Sequence, residues 1–359
     1  MIKIYFFVFF VCFDGVQAQT ISKVDNGVWK IVYGQPEKML PDQFKAAAKT
    51  IALAALPAET TPAVSLSQIQ FKKLTSGIMA EIDAADDERF YGFGLQINSF
   101  EQRGMRRDIR INSWPVGNVG FSHASMPFYI SSKGYGVLIN TCRYTTFYAA
   151  SLKKMDATIT STDPASTEIK LSTEALYGKN ILAEGKVNVV VAGTEGMEIY
   201  IINGPTLLNV MQRYNLFSGG GSLPPLWGLG FQYRAKASST AEQVQKIGDY
   251  FREKNIPCDV MGLEAGWETN AYSSSFVWNK ANFPSPENFI QRMIGQGYKV
   301  NLWEHAYTAP NSPMYKPIAP YAADYKVWNG AVPDFNLPQA RAIFGNYHDE
   351  NFVQKGIAA

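Results

Sequence analysis

Carboxylates, aromatic rings and one arginine gather at the ends of three apolar runs in this 359-residue chain. Gln232-Tyr233-Arg234 closes the first run, which begins at Leu226. Glu264-Ala265-Gly266-Trp267 follows Val260-Met261-Gly262-Leu263. Trp303-Glu304-His305 ends the third run, and Trp328 and Asp334 lie in the segment after it. Aromatic walls with a few charged groups suit a sugar. Its CH-rich faces lie on indole, and its hydroxyls need carboxylate or guanidinium partners. The candidate substrate-binding residues are therefore Glu264, Trp267, Trp303, His305, Trp328, Arg234 and Tyr233. Each has a packing alternative: the rings as core or loop aromatics, Glu264 as a salt-bridged surface carboxylate. Glu304-His305 has the residue types of a metal or acid–base pair, but no second ligand stands at helical or hairpin spacing. No metal or cofactor is expected. His123 and His348 read as ordinary loop and helix residues, and Arg106, Arg107 and Arg110 as a solvated strand face.

The elements that must position these groups change character along the chain. Residues 19–222 read as all-β: short alternating or apolar segments recur between turn signals. Gly27–Tyr33, Ile78–Ile82, Pro127–Ile130, Tyr135–Thr141, Val187–Ala192 and Met197–Ile202 are examples, with further candidates at 157–162 and 168–171. One alanine-rich stretch, 41–56, predicts a short helix instead. Gly219-Gly220-Gly221-Ser222 is a candidate linker. No Gly-Lys-Ser/Thr follows it, which argues against a phosphate loop. After Pro224 strands and helices alternate. Strands are predicted at Leu226–Tyr233, Cys258–Leu263 and Tyr298–Trp303. Helices are predicted at Ser239–Lys254, between Pro286 and Gly297, and at Leu337–Lys355 with Gly356 as its stop. A Pro- and Tyr-rich loop precedes the last helix. This alternation means a parallel sheet or barrel. A (β/α)₈ barrel takes about 250 residues, so 223–359 holds only three units, and the chain reads as a truncated frame.

Composition narrows the function class. Lysine plus arginine is 33 and aspartate plus glutamate 31, a net charge of +2. No strongly basic nucleic-acid binder and no acidic tail is expected. Hydrophobic residues at 46% and charged ones at 18% mark a chain able to bury a core. Lys3, the apolar run Ile4–Phe13 and the small-x-small site Val16-Gln17-Ala18 predict a signal peptide over 1–18 and a secreted or periplasmic protein. No later run is long enough to span a membrane. Of the three cysteines, Cys12 would leave with the signal, and Cys142 and Cys258 read as separate buried thiols.

Several motifs resemble glycoside hydrolase family 31. Pro224-Pro225-Leu226-Trp227-Gly228-Leu229-Gly230-Phe231 is similar to the opening strand of that family's barrel, and Asn255-Ile256-Pro257-Cys258-Asp259-Val260 to its second-strand approach. Phe276-Val277-Trp278-Asn279 with Phe283-Pro284-Ser285-Pro286 resembles its Phe-x-Trp-Asp…Phe-Pro-Asp-Pro signature. Tyr91-Gly92-Phe93-Gly94, Met126-Pro127-Phe128-Tyr129-Ile130 and Lys133-Gly134-Tyr135-Gly136-Val137 resemble its sandwich. The resemblance implies an N-terminal antiparallel β-sandwich (mutarotase-like) over 19–222, then the first three units of an incomplete (β/α)₈ TIM barrel over 223–359. It implies a retaining exo-acting α-glycosidase acting on a carbohydrate substrate through two carboxylates about 5 Å apart. In the family both lie beyond the position of Ala359, so no catalytic residue is assigned in this chain. Glu264 matches the family aspartate that grips hydroxyls at the non-reducing end, and Trp303 and Trp328 its pocket aromatics. Arg234 and Tyr233 fall near the first-strand pocket position. Two departures, Glu264 for aspartate and Glu304-His305-Ala306 for Asn/Asp-Pro, point away from a plain α-glucosidase and make an α-galactoside a candidate. The alternative is a secreted, non-catalytic carbohydrate-binding protein.

Overall fold

The computed structural model describes residues 19–37, 40, 51–112, 118–151 and 185–358. The signal peptide over 1–18, the strand candidates at 157–162 and 168–171, and positions 41–50 of the helix candidate lie outside them. The rest of that candidate forms a 3-10 turn, Ile51–Leu53. The chain divides into two compact units after Gly221.

The first unit is two packed antiparallel sheets. One has the order β1-β2-β11-β8-β7-β5, the other β3-β4-β10-β9-β6. The strands are β1 Thr20–Asp25, β2 Val28–Gln35, β3 Gln70–Leu74, β4 Gly77–Asp83, β5 Phe90–Gly94, β6 Arg106–Ile109, β7 Ser125–Ser131, β8 Tyr135–Ile139, β9 Thr145–Ala149, β10 Lys186–Ala192 and β11 Glu195–Asn203. Period-two alternation sends Ile78, Ala80 and Ile82 of β4 into the same core as Val187, Val189 and Val191 of β10, against Val137, Ile139, Ile199 and Ile201 of the other sheet. Two expectations fail here. Leu207–Phe217 is a helix, α1, in a region read as all-β. Its spacing is helical: Val210, Tyr214 and Phe217 pack together on Val28, Phe128, Tyr200 and Ile202. Arg107 is no part of a solvated face. It shares the inward side of β6 with Ile109 and is fully buried. Its Nε donates to Gln102 Oε1 at 2.5 Å and its Nη1 to the Asn118 carbonyl at 2.6 Å. Arg106 and Arg110 are exposed as expected.

The second unit is built on a parallel sheet, β12 Gln232–Ala235, β13 Val260–Leu263 and β14 Lys299–Leu302. Helix α2 (Ala241–Glu253) connects the first pair and α3 (Pro286–Gly295) the second. Val244 of α2 and Phe289, Ile290 and Met293 of α3 bury against Met261, Leu263, Val300 and Leu302. Strand β12 is shorter than expected, because Leu226–Leu229 is a 3-10 turn behind Pro225. The Pro- and Tyr-rich loop contains a short helix, α4 Tyr315–Ile318, and a hairpin, β15 Ala322–Val327 with β16 Gly330–Pro333. The last helix, α5, runs Pro338–Asn351. It breaks at Phe352, and Gly356 ends the following turn in the left-handed region at φ 101°. Ile357 pairs in parallel with Val300 on the free side of β14. Among the described residues no helix is long and apolar enough to cross a membrane.

A capping box starts α2. Thr240 Oγ1 accepts from Gln243 N–H, and Gln243 Oε1 accepts from Thr240 N–H at 2.9 Å. Thr240→Ala should cost about 1 kcal/mol, read as a lower denaturation midpoint of this unit. Cys142 and Cys258 are both free. Cys258 is buried as expected, but Cys142 is exposed, because it follows the end of β8 where the chain leaves the sheet.

Candidate sugar-binding site

Register decides which candidate residues share a surface. Arg234 pairs with Gly262, and Gly262 with Asn301. Neighbours across a parallel sheet point the same way, so these three lie on the side away from α2 and α3. Glu264 and Trp303, each the first residue past the end of its strand, continue that alternation. A Cβ at Gly262 would make ordinary van der Waals contact with Arg234 Cγ at 3.4 Å and Asn301 Oδ1 at 3.5 Å, which places all three on one side. Arg234 Nη2 forms a close ion pair with Glu264 Oε1.

The same alternation corrects Tyr233. It points to the helix side with Met261 and Val300, and its ring meets Phe251 of α2 at 5.4 Å. It packs against the helix. Trp267 is also corrected. It is fully buried and edge-on to Trp278 and Phe352. Its indole N–H donates to the Trp303 carbonyl at 2.7 Å, while Trp303 N–H donates to the Leu263 carbonyl at 2.8 Å. Trp267 therefore fixes Trp303 from behind instead of meeting a ligand. The Phe276…Pro286 signature supports this core: Trp278 stacks edge-on with Phe283, and Asn279 N–H donates to the Trp267 carbonyl at 2.7 Å. Gly266 is needed for the turn, since a Cβ would meet the Ala237 carbonyl oxygen at 1.6 Å.

His305 and Trp328 come together with Trp303 in an aromatic cluster that also includes Tyr272 and Tyr307. Tyr272 and Trp328 meet edge-on at 5.0 Å, Tyr272 and Trp303 at 5.6 Å, His305 and Trp328 at 5.1 Å, and Tyr307 and Trp328 at 5.6 Å. Tyr272 is 60% exposed and Trp328 53%, so the cluster offers ring surface to solvent. The partners of His305 assign its proton. Nε2 donates to the Ala271 carbonyl at 2.8 Å, and Nδ1 accepts from Tyr307 N–H at 3.2 Å. The ring is neutral, and burial pushes its pKa below the usual histidine value. Trp328 and Asn329 both have positive φ, 47° and 63°, at the hairpin tip. A bulky residue there costs about 1–2 kcal/mol in backbone strain. Trp328→Gly should leave thermal stability equal or higher while sugar affinity falls severalfold, measured by melting and titration side by side.

Glu304 does not pair with its neighbour. It faces His348 of α5, whose Nε2 stands 2.9 Å from Glu304 Oε1 and whose Nδ1 donates to the Phe344 carbonyl at 2.9 Å. His348 is thus no ordinary helix residue: it ties α5 to the end of β14. Asp334 Oδ1 accepts from Asn336 N–H at 3.0 Å and organises the turn before α5. Glu268 was not a sequence candidate. It is 3% exposed, and it accepts from Ser275 N–H at 2.9 Å, Phe276 N–H at 3.0 Å and Ser274 Oγ at 3.1 Å. Burial is the largest influence on it, and its pKa rises to about 7. Tyr272 and Tyr307 carried no strand-end signal, because both reach the cluster through irregular loops. Among the described residues no group of three or more His, Cys, Asp or Glu side chains has metal-holding geometry.

Residues 221–359 match the family described as the glycosyl hydrolases family 31 TIM-barrel domain. Two α-xylosidases are similar along most of the chain. XylQ of Lactiplantibacillus pentosus is 28% identical over 71% of this chain and 29% of its own length. The Emericella nidulans enzyme is 24% identical over 83% of this chain and 36% of its own length. That family accounts for the C-terminal unit of the chain. The chain spans about a third of the length of these two curated relatives. In fold it resembles a family 31 dextranase of Flavobacterium johnsoniae complexed with glucose, with a TM-score of 0.68 at 18% identity, over 94% of this chain and 44% of the dextranase. A family 31 α-xylosidase from a soil metagenome, complexed with xylose, gives a TM-score of 0.60 at 15% identity over 94% of this chain and 48% of that one.

Proposed function

We propose that this chain supplies the glycon-reading surface of a retaining, exo-acting α-glycosidase. The observation that carries the reading is the Arg234–Glu264 pair beside Trp303, held on one side of the parallel sheet and next to exposed Tyr272 and Trp328. A fixed carboxylate and guanidinium read hydroxyls, and the rings accept the apolar face of the sugar. The match of residues 221–359 to the family 31 barrel domain supports this chemistry. On this reading the two packed sheets are that family's sandwich and the three β/α units open its eightfold barrel.

The displacement itself is assigned to no residue of this chain. It takes two carboxylates about 5 Å apart, one ionised nucleophile and one acid/base. The carboxylates at this face are committed elsewhere: Glu264 to Arg234, Glu304 to His348, and Glu268 to the core of its loop. For the glycon we favour a sugar other than glucose. Glutamate at 264 reaches about one methylene further than aspartate, which favours an axial hydroxyl as in an α-galactoside. The α-xylosidase relatives make an α-xyloside the second reading. The signal-like segment 1–18 supports action outside the cytoplasm.

The test is tryptophan fluorescence during titration with methyl α-galactoside, α-xyloside and α-glucoside. Saturable quenching by the first or second, and weaker quenching by the third, is the expected result. Equal responses to all three would remove the non-glucose reading. No saturable response to any of them would remove the site.

A further inference from the structure

In the N-terminal unit, helix α1 covers only part of the outer face of the six-stranded sheet. Past the C-terminal end of α1 that face opens into a cavity of about 550 Å³. Lys30, Leu138, Asn140 and Tyr200 of the sheet line it, with Tyr214 and Phe217 of α1. The volume falls within the range of ligand pockets, about 300–1,000 Å³.

Two of the lining residues, Lys30 and Asn140, are tied to Glu198, which lies outside the lining. Glu198 is 6% exposed on a strand whose neighbours Met197, Ile199 and Tyr200 are all buried. Asn140 Nδ2 donates to Glu198 Oε1 at 2.7 Å, and Lys30 Nζ stands 3.4 Å from Glu198 Oε2. Apolar residues at these places would build the sheet without desolvating a carboxylate and an ammonium. Lys30 keeps 30% of its side chain exposed and carries three donors. Because Glu198 cancels its charge, an anion gains little here. A purely apolar ligand would strip water from the ammonium and replace it with nothing. What remains is a neutral ring with one CH face and a hydroxylated edge. The ring placed to receive that face is Tyr214, half-buried and held by stacking on Phe128 at 3.9 Å; Tyr200 and Phe217, buried against one another at 5.0 Å, complete the wall.

We infer that this cavity binds one or two neutral pyranose units, as a second carbohydrate site made wholly of N-terminal residues. The inference stands whether or not the site on the barrel strands binds sugar.

The test uses the full chain with ¹³C-methyl-labelled methionine, because Met126 lines the cavity. Isomaltotriose is the probe. The Met126 resonance should shift and saturate in the millimolar range. Lys30→Met should weaken this at least tenfold, and Leu138→Trp, which fills the cavity, should abolish it. An unchanged melting temperature shows that each variant is folded. Lys30→Met gives the decision if Leu138→Trp does not fold. A Met126 resonance that stays still, that moves equally in the folded variants, or that responds only to the apolar dye anilinonaphthalene sulfonate would overturn the inference.

Discussion

Glu264→Ala is expected to weaken sugar binding by roughly 10- to 100-fold while thermal unfolding stays where it is. The size follows from losing hydrogen bonds to a charged group, about 1.5–3 kcal/mol. The insensitivity of stability follows from exposure. Arg234 is 58% and Glu264 32% exposed, and a solvated ion pair contributes about 0–1 kcal/mol to folding. Such a pair is poorly explained as a stabilising device and well explained as a positioned hydroxyl reader. Glu264→Asp keeps the charge and withdraws it by one methylene. It should restore part of the affinity and move preference towards methyl α-glucoside. The reverse pattern, an intact affinity with a lowered melting point, would make Glu264 a structural carboxylate. Titration calorimetry and melting on the same two variants decide between them.

Raising the pH from 5 to 8 should destabilise the C-terminal unit, and Glu268→Gln should remove most of that dependence. Burial holds the Glu268 carboxyl protonated up to about 7, against 4.5 for a free glutamate. Between those values the folded chain binds the proton and the unfolded chain does not. The stabilisation from this group is therefore complete below about 4.5 and is lost as the pH rises through about 7. Each pKa unit is worth ~1.4 kcal/mol, so the loss approaches roughly 3 kcal/mol. Oε2 accepts from Ser275 and Phe276 N–H, and Oε1 accepts from Ser274 Oγ. Glutamine is neutral at every pH, so it removes this titration while its oxygen keeps the two N–H partners. Denaturant midpoints at pH 5 and 8 should differ for the parent chain and nearly coincide for Glu268→Gln. Equal slopes in both chains would show that some other group carries the pH response.

The periodic elements were the most legible part of this protein. Helices α2 and α3 and strands β13 and β14 follow from apolar spacing and from Thr240, Pro286 and Gly297 at their ends, and most of the antiparallel strands from alternation. The errors share a cause. Leu207–Phe217 stands between strand-like runs and the β15–β16 hairpin inside a Pro- and Tyr-rich loop, so each takes on the character of its surroundings. Leu226–Tyr233 is apolar enough for a strand, but Pro225 before it and its own glycines bend the first half into a turn. Arg107 was read from its charge, whereas its face is set by Ile109 two residues away.

At the candidate site, sequence alone placed Arg234, Glu264 and Trp303 at strand ends, because a charge or ring just after an apolar run is a local signal. It also carried the resemblance that the match over residues 221–359 bears out, through motifs whose order survives low identity. Only the tertiary structure separated Arg234 from Tyr233, since adjacent residues on a strand point to opposite sides and the helices occupy one of them. Only packing showed that Trp267 supports Trp303 from the core. Partners 44 residues apart, Glu304 and His348, and the burial that holds Glu268 protonated depend on loops closing over one another. No local pattern of residue types encodes that closure, because its energy resides in contacts between segments distant along the chain.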